Sequence, residues 1–270
     1  MDSPMSLHEG EWNWVEMGPD EEVDMADNVA SFKTVEDWES DATIALTRGD
    51  VFGALRIYEE ILKVYPHYLK AWYNRAVILE QYVNDKRQAL WCYDQALKID
   101  PNHVDILHNK AKLLADVGAY DEAEKYYIKA LKSRPNYTKS LMGLATAYVN
   151  TGKYEEALRA VELAERHKLT AQQKADILGV KAIVLSNMGR SKQAIKVTKK
   201  ALAINPKDDT LWETMGVAYY NINKFKDAIR CLNKAIEMNP QNSSARQMKR
   251  EILDSLAEVG ILVQDNDPGF

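Results

Sequence analysis

The chain has 270 residues, of which 46% are apolar and 28% are charged, the proportions of a soluble folded protein. No apolar run is long enough for a transmembrane helix, and the first residues are acidic where a signal peptide or presequence would be basic, so membrane insertion and export are not expected. Only two cysteines occur, Cys92 and Cys231, so we predict neither a disulfide framework nor a thiolate metal site and expect a cytoplasmic location.

The first 32 residues differ in charge from the rest of the chain. They contain nine acidic side chains and no lysine or arginine, whereas the other 238 residues hold 35 basic and 31 acidic side chains, a net charge of +4. This composition predicts a flexible acidic segment over residues 1–32. Trp12 and Trp14 lie in it among acids, which is typical of peptides that bury aromatic side chains in a groove. Two interpretations remain open: the tryptophans pack on this chain, as a cap on its first helices or elsewhere, or they bind a partner.

From about residue 35 the chain repeats a unit of about 34 residues, seen most clearly between Tyr120 and Pro135. In this copy Ala123, Tyr127 and Ala130 share one helical face, where the small residues allow close helix packing and the ring fills the space between them. The proline then ends the helix. Equivalent prolines lie 35, 34, 71 and 34 residues apart, at Pro66, Pro101, Pro135, Pro206 and Pro240. The longest gap leaves room for a copy that lacks the proline, so we predict six copies.

Each copy is predicted to be a helix A, a short turn and a helix B. The predicted boundaries are residues 35–68, 69–103, 104–137, 138–172, 173–208 and 209–242. In the second copy the turn from Val83 to Lys86 is one residue longer than in the others. In the fourth copy we expect helix B to end near Leu169, and Thr170 with Gln173 predicts a capping box that starts helix A of the fifth copy early. Either an overlong helix or a slight change in superhelical curvature is expected there. Residues 243–259 are predicted as a capping helix and residues 260–270 as a tail.

The spacing of large, small, aromatic and proline residues, such as Trp72 and Ala76 in helix A, resembles the tetratricopeptide repeat family over roughly residues 35–240. The resemblance implies an all-α fold, a right-handed superhelical solenoid of antiparallel helix pairs with helix A of each repeat on the concave side. It also implies a non-enzymatic scaffold that binds a peptide segment of a partner protein in the concave groove.

The resemblance places one set of helix A residues in that groove. In the early repeats these are Lys70, Tyr73, Asn74, Val77, Asp105, His108, Asn109 and Lys112. In the later repeats they are Lys139, Met142, Thr146, Asn150, Val180, Ile183, Asn187, Thr214, Val217 and Asn221. The early set is polar and charged and the later set is smaller and more apolar, so an extended ligand with charged residues at one end and aliphatic residues at the other fits both.

Two more specific interpretations of the groove follow from the same resemblance. Co-chaperones of this family grip a C-terminal carboxylate with lysine, asparagine and arginine, but Glu39 and Asp105 stand at two of the corresponding positions and would repel it, so this function is not favoured. Asn74 and Asn109 occupy the same position of consecutive repeats. They are interpreted either as the start of an amide ladder that binds a peptide backbone or as solvated groove residues.

Outside the groove, the sequence contains one notable cluster of charge. Lys192, Lys196, Lys199 and Lys200 form a basic face on helix B of the fifth repeat, either simply solvated or a docking surface for an acidic segment such as residues 1–32. Such docking, in the groove or on this face, predicts that residues 1–32 modulate partner binding.

The sequence holds no signature of catalysis, metal binding or nucleic-acid binding. No phosphate-binding glycine loop or nucleophile elbow occurs, and His103, Asp105 and His108 are not spaced to share one helical face, so we predict no catalytic site, cofactor or metal. RNA binding is not expected either, because the groove lacks a stacking residue in each repeat. The alternative function is a structural subunit or self-assembling adaptor that uses the convex face or the ends of the solenoid.

Overall fold

A computed structural model describes residues 33–258, which form an all-α solenoid of helix pairs. Trp12 and Trp14, like the predicted tail, lie outside the described residues. Within the described range the helices are α1 Val35–Thr47, α2 Val51–Val64, α3 Leu69–Ile78, α4 Lys86–Ile99, α5 Val104–Asp116, α6 Tyr120–Ser133, α7 Thr138–Asn150, α8 Tyr154–Glu165, α9 Ala171–Asn187, α10 Ser191–Leu202, α11 Asp209–Tyr220, α12 Phe225–Met238 and α13 Ser243–Glu258.

The helices pack mainly on their neighbours in the chain, so the core runs along the solenoid as a series of linked clusters. Each helix contacts the next one, and the odd-numbered helices from α5 to α13 also contact each other in succession. The odd-numbered helices are the predicted A helices. They therefore form one continuous face, while the even-numbered helices form the opposite one.

Alanines at the helix contacts are completely buried, which confirms the small positions of the repeat. Ala76, Ala89 and Ala96 of the second copy, for example, have no exposed surface. The aromatic position is also buried in the first three copies, by Tyr58, Tyr93 and Tyr127. In the later copies the same position holds Val161, Thr198 and Leu232, which are buried as well.

A residue with positive φ ends helix A in each repeat and turns the chain into helix B. It is Gly49, Gly118, Gly152 and Gly189 in four repeats and Asn84 and Asn223 in the other two. In most of these turns the next residue donates its N–H to the carbonyl five residues earlier, as Ala119 does to Leu114 at 2.9 Å. In the second repeat the bond spans six residues, from Asp85 N to Leu79 O, and a π-helical turn over Leu79–Val83 absorbs the extra residue.

The junction between the fourth and fifth repeats has the predicted capping box. The N–H of Gln173 donates to Thr170 Oγ1 at 3.2 Å, and the N–H of Thr170 donates to Gln173 Oε1 at 3.0 Å. The helix that follows, α9, is 17 residues long. The preceding helix, α8, ends at Glu165 and so stops before the predicted Leu169. Because the capping box starts the next helix at Thr170, the residues between must form the connection.

Candidate functional site

The predicted groove residues lie on the odd-numbered helices, apart from Asn221, which caps the C-terminal end of α11, and they differ in exposure. Exposed residues are Lys70, Lys112, Lys139, Thr146, Asn150, Asn187 and Asn221. Half-buried residues are Tyr73, Asn74, Val77, Asp105, Asn109, Met142, Val180, Ile183 and Val217. His108 and Thr214 are buried.

In the early half of the groove both lysines, Lys70 and Lys112, form ion pairs, while Asp105 accepts a hydrogen bond from the Tyr137 hydroxyl at 2.6 Å. Lys70 forms an ion pair with Glu39, which also accepts a hydrogen bond from the Tyr68 hydroxyl at 3.1 Å. One repeat further on, Lys112 Nζ lies 2.9 Å from Glu80 Oε1. The hydroxyl of Tyr93 donates to the other oxygen of Glu80 at 2.9 Å.

The two asparagines of the proposed ladder also have internal partners. The side-chain amide of Asn74 donates to the Tyr58 hydroxyl at 3.0 Å, and that of Asn109 donates to the Tyr73 hydroxyl at 3.1 Å. A ligand backbone that bound these amides would have to compete with the tyrosine hydroxyls. The ladder remains a prediction, and the structure identifies its competitors.

His108 differs from the other early groove residues because its ring is enclosed. Its Nδ1 lies 3.1 Å from Ser140 Oγ, and its ring contacts Tyr137 edge-on at 5.4 Å between centroids. Burial, and secondarily the charge of Lys139, lowers the pKa of His108 to about 4. It is therefore a neutral part of the groove floor at physiological pH.

The groove changes character where the buried tyrosine is lost. Sixteen residues after Tyr58 and after Tyr93 stand Asn74 and Asn109, the polar residues just described. Sixteen residues after Tyr127 stands Gly143, and a Cβ at that glycine would overlap the tyrosine ring.

The next two copies lack the ring. The groove positions equivalent to Gly143 hold Val180 in the fifth repeat and Thr214 in the sixth. Val180 packs into the same apolar cluster as Val161. The groove floor is therefore made of short side chains in this part of the solenoid.

Three adjoining cavities lie on this later part, between α7, α9 and α11. The first, about 300 Å³, is lined by Thr138, Lys139, Met142, Gln173, Asp176, Ile177 and Val180. The second, about 220 Å³, is lined by Ala175, Asp176, Gly179, Val180, Ile183, Asp208, Thr210, Leu211 and Thr214. The third, about 220 Å³, is lined by Ile183, Ser186, Asn187, Thr210, Glu213, Thr214 and Val217. Val180 lines both the first and the second cavity, and Ile183 lines both the second and the third.

These cavities are lined by acidic side chains that have no cationic partner among residues 33–258. Asp176 accepts a hydrogen bond from the Gln172 amide at 2.8 Å, and Asp208 accepts one from the N–H of Leu211 at 3.1 Å. Glu213 accepts hydrogen bonds from Asn242 at 2.9 Å and Ser244 at 2.6 Å. These donors are neutral, so the carboxylates keep their negative charge in the groove. No lysine or arginine lines the two cavities between α9 and α11.

When the repeat pattern was applied to the sequence, Asp176 and Glu213 were not assigned to the groove, although their positions in the repeat indicate that they belong there. Lys139, which the pattern assigns to the groove, lies six residues before the small residue Ala145, and Asp176 lies six residues before the equivalent Ala182. Glu213 holds the position of Tyr73 and His108. The polar edge residues Asn150 and Asn187 donate to carbonyls of their own helices, at 2.9 and 3.1 Å.

The lysines of the predicted basic face, Lys192, Lys196, Lys199 and Lys200, are all exposed on α10. Among residues 33–258, no carboxylate lies within ion-pair distance of any of them. Their positive charge is therefore available to an acidic partner.

Within the same residues, no group of three histidine, cysteine or acidic side chains is placed to hold a metal ion. None of the described helices is long and apolar enough to span a membrane. Cys92 and Cys231 are both buried, and burial raises the pKa of each thiol to about 11.

Stacked helix pairs of this length, with fully buried alanines between them and a groove along the A helices, define a helical-repeat solenoid. Sequence comparison assigns the repeat. Tetratricopeptide repeat models match residues 42–103, 92–125 and 114–175, and a model of the N-terminal tetratricopeptide region of Psidin matches residues 156–252. The chain belongs to the tetratricopeptide repeat family. No curated protein sequence matches it.

Solved structures share this fold at low sequence identity. A tetratricopeptide repeat protein from Parabacteroides merdae aligns with a TM-score of 0.67 and 16% identity, over 86% of this chain and 94% of its own. YrrB, described as having an unusual peptide-binding site, aligns with a TM-score of 0.56 and 21% identity, over 72% of this chain and 97% of its own. The Cut9–Hcn1 structure of the APC/C aligns with a TM-score of 0.66 and 14% identity, over 80% of this chain and 42% of that chain. Membership of this family implies a role in protein–protein interaction, generally without catalysis.

Proposed function

We propose that this protein binds an extended segment of a partner protein along α7, α9 and α11. The observation that carries the proposal is the row of three adjoining cavities along the A helices α7, α9 and α11. Neighbouring cavities share lining residues, so a ligand in one continues into the next. The similar solved protein YrrB, itself described as peptide-binding, supports a role of this kind.

The scaffold is suited to this task because the groove helices are held by close contacts. Ala145 of α7, Ala182 of α9 and Ala218 of α11 are completely buried. Helices packed in this way are expected to change little on binding, so most of the ordering cost falls on the ligand.

The chemistry of the groove favours a ligand segment that combines aliphatic and basic residues. Met142, Val180 and Ile183 offer apolar surface to aliphatic side chains. Next to this surface, Asp176 and Glu213 lack a cationic partner and complement a lysine or arginine of the ligand. At the α7 end, Lys139 complements an acidic residue instead.

The same charge bears on the prediction that residues 1–32 modulate binding. Their nine carboxylates would meet the acidic side chains between α9 and α11, so direct competition there is unfavourable. We infer that modulation by this segment acts from a contact outside the later groove.

Panning a phage-displayed library of linear peptides on the full-length protein tests the proposal. Peptides enriched on the wild type should lose binding to Val180→Glu, which places a charge between two cavities. Val64→Glu is the matched control, because Val64 is exposed at the end of α2. Peptides that bind Val180→Glu as tightly as the wild type would show that the later groove is not the site.

Two further variants test the ligand chemistry and the extent of the site. Asp176→Lys should weaken basic peptides about 3- to 10-fold, more at low salt than at high salt, while Asp254→Lys on α13 should not. Unchanged binding by the double variant Asn74→Ala, Asn109→Ala would confine the site to the later half. Weaker binding would extend it to the predicted asparagine ladder.

Self-assembly is a second candidate function, favoured by large apolar side chains exposed on the first two repeats. Phe52 is 69% exposed, and Trp91 is 50% exposed, with its ring 5.2 Å edge-on from that of Trp72. Light scattering over a concentration series separates the two functions. A scaffold remains one species, whereas assembly through these residues gives larger species that Phe52→Glu with Trp91→Glu abolishes.

A further inference from the structure

A cavity at the beginning of the solenoid has no part in the groove. It has a volume of about 440 Å³, larger than each of the three groove cavities. It lies between α1 and α2 and is lined by Lys33, Trp38, Asp41, Asp50, Gly53, Arg56, Ile57 and Glu60. Trp38 and Ile57, both half-buried, supply its apolar surface.

The cavity is at the uncovered end of the stack. Every later A helix packs against the B helix that precedes it, from the α2 and α3 pair to the α12 and α13 pair. Among the described residues, α1 has no preceding helix. Lys33, the first residue that the structure describes, itself lines the cavity.

Among residues 33–258, two charged side chains that line the cavity, Asp50 and Arg56, have no oppositely charged partner. Asp41 pairs with Lys33, and Glu60 lies 2.6 Å from Lys63 Nζ. The third carboxylate, on Asp50, accepts a hydrogen bond from the N–H of Gly53 at 2.7 Å as the N-cap of α2. Arg56 has no carboxylate within ion-pair distance among residues 33–258. The Asp50 carboxylate is held by the backbone at the start of α2, which leaves Arg56 as the cation of this cavity that a ligand carboxylate can pair with.

We propose that the cavity between α1 and α2 is the docking site for this chain's own segment around Trp12 and Trp14. That segment offers indole rings for the apolar surface of Trp38 and Ile57 and carboxylates for Arg56. The 18 residues between Trp14 and Lys33 can span roughly 60 Å at about 3.3 Å each, so the linker does not prevent the contact. Tethering also gives the segment an effective concentration on the order of millimolar, which favours docking even when the intrinsic affinity is weak.

Three surfaces of the described structure are candidates for docking an acidic, tryptophan-bearing segment: the later groove, the α10 lysines and the α1–α2 cavity. The later groove opposes it through Asp176, Asp208 and Glu213. The α10 lysines offer charge without a cavity among those described. The α1–α2 cavity joins an apolar surface to the Arg56 side chain and is also lined by Lys33, the first residue that the structure describes. Docking there covers the first repeat and leaves the later groove free for a partner.

Hydrogen exchange of the full-length protein, followed by mass spectrometry, distinguishes the three surfaces in one experiment. Replacing Trp12 and Trp14 by alanine should speed exchange in α1 and α2 roughly fivefold or more and leave α7 to α11 unchanged. Unchanged exchange in α1 and α2 would overturn the proposal, as would a change on α10 or in the later groove instead.

A variant on the receiving surface gives an independent test. Arg56 is exposed, so Arg56→Glu should leave the helices folded while speeding exchange in α1 and α2, and the effect should shrink at high salt. Arg87→Glu, at an exposed arginine of α4, is the matched control.

A synthetic peptide of residues 9–19 carrying a fluorophore completes the design. It should bind the full-length Trp12→Ala, Trp14→Ala protein, whose own segment no longer competes, and bind at least about threefold more weakly when Arg56→Glu is added. Equal binding with and without Arg56→Glu would overturn the assignment to this cavity.

Discussion

Replacing His108 by glutamine should remove part of the acid sensitivity of this protein. Burial, aided by the charge of Lys139, lowers the pKa of His108 to about 4, while a histidine in the unfolded chain has a pKa of about 6.5. Between these values the unfolded chain binds a proton that the folded chain does not, so the free energy of unfolding falls as the pH falls through this window. The gap between the two pKa values corresponds to about 3 kcal/mol, of which about 2 kcal/mol is lost between pH 7.5 and pH 5.

Urea unfolding followed by far-ultraviolet circular dichroism at pH 7.5 and pH 5 measures this effect. Glutamine stays neutral at both pH values and retains polar atoms for Ser140. The other titrating groups are the same in the wild type and in His108→Gln, so their contributions cancel when the two proteins are compared. The wild type should lose about 2 kcal/mol more than His108→Gln between the two pH values. Equal losses would refute the reasoning, because they would mean that the folded protein accommodates a charged imidazole at this position.

Two further predictions concern packing and capping. Gly143→Ala should destabilise the protein by about 1–3 kcal/mol, because the new Cβ would overlap the buried ring of Tyr127; urea unfolding should show Thr146→Ala, exposed on the same helix, to be nearly neutral. Thr170→Ala should cost about 1 kcal/mol by removing the capping box of α9, whereas Thr170→Ser, which keeps the hydroxyl, should cost much less; equal losses in the two variants would show that the cap does not hold this helix end.

Sequence reasoning predicted the helices well because each has a local signal. The alanines mark the contacts, the prolines mark most of the B helix ends, and the glycines mark most of the turns. Asn84 shows the limit of such signals: the longer turn was predicted, but not that a π-helical turn absorbs the extra residue. The extra residue is taken up in the π-helical turn after α3, where Leu79 is buried against the following helix.

The sequence predicted which residues face the groove, whereas contacts between helices determine the partners of each side chain. The repeat pattern assigned Val180, Ile183 and Thr214 to the groove, and all three line its cavities. The pattern also assigned Asn74 and Asn109 to the groove, but their side-chain amides donate hydrogen bonds to tyrosine hydroxyls on other helices. The position of a residue in a repeat predicts which face it lies on. It does not predict what that side chain contacts.

The sequence by itself determined that this chain is a stack of six helix pairs with a capping helix, because a short period of small, aromatic and turn residues requires only local contacts. Only the tertiary structure decided that three adjoining cavities lie along α7, α9 and α11. That outcome depends on pairs such as Tyr127 with Gly143 and Val161 with Val180, each contributed by two different helices. The buried ring of Tyr127 fills the space beside Gly143. In the next two repeats Val161 and Thr198 replace this ring, and the cavities lie in that part of the groove.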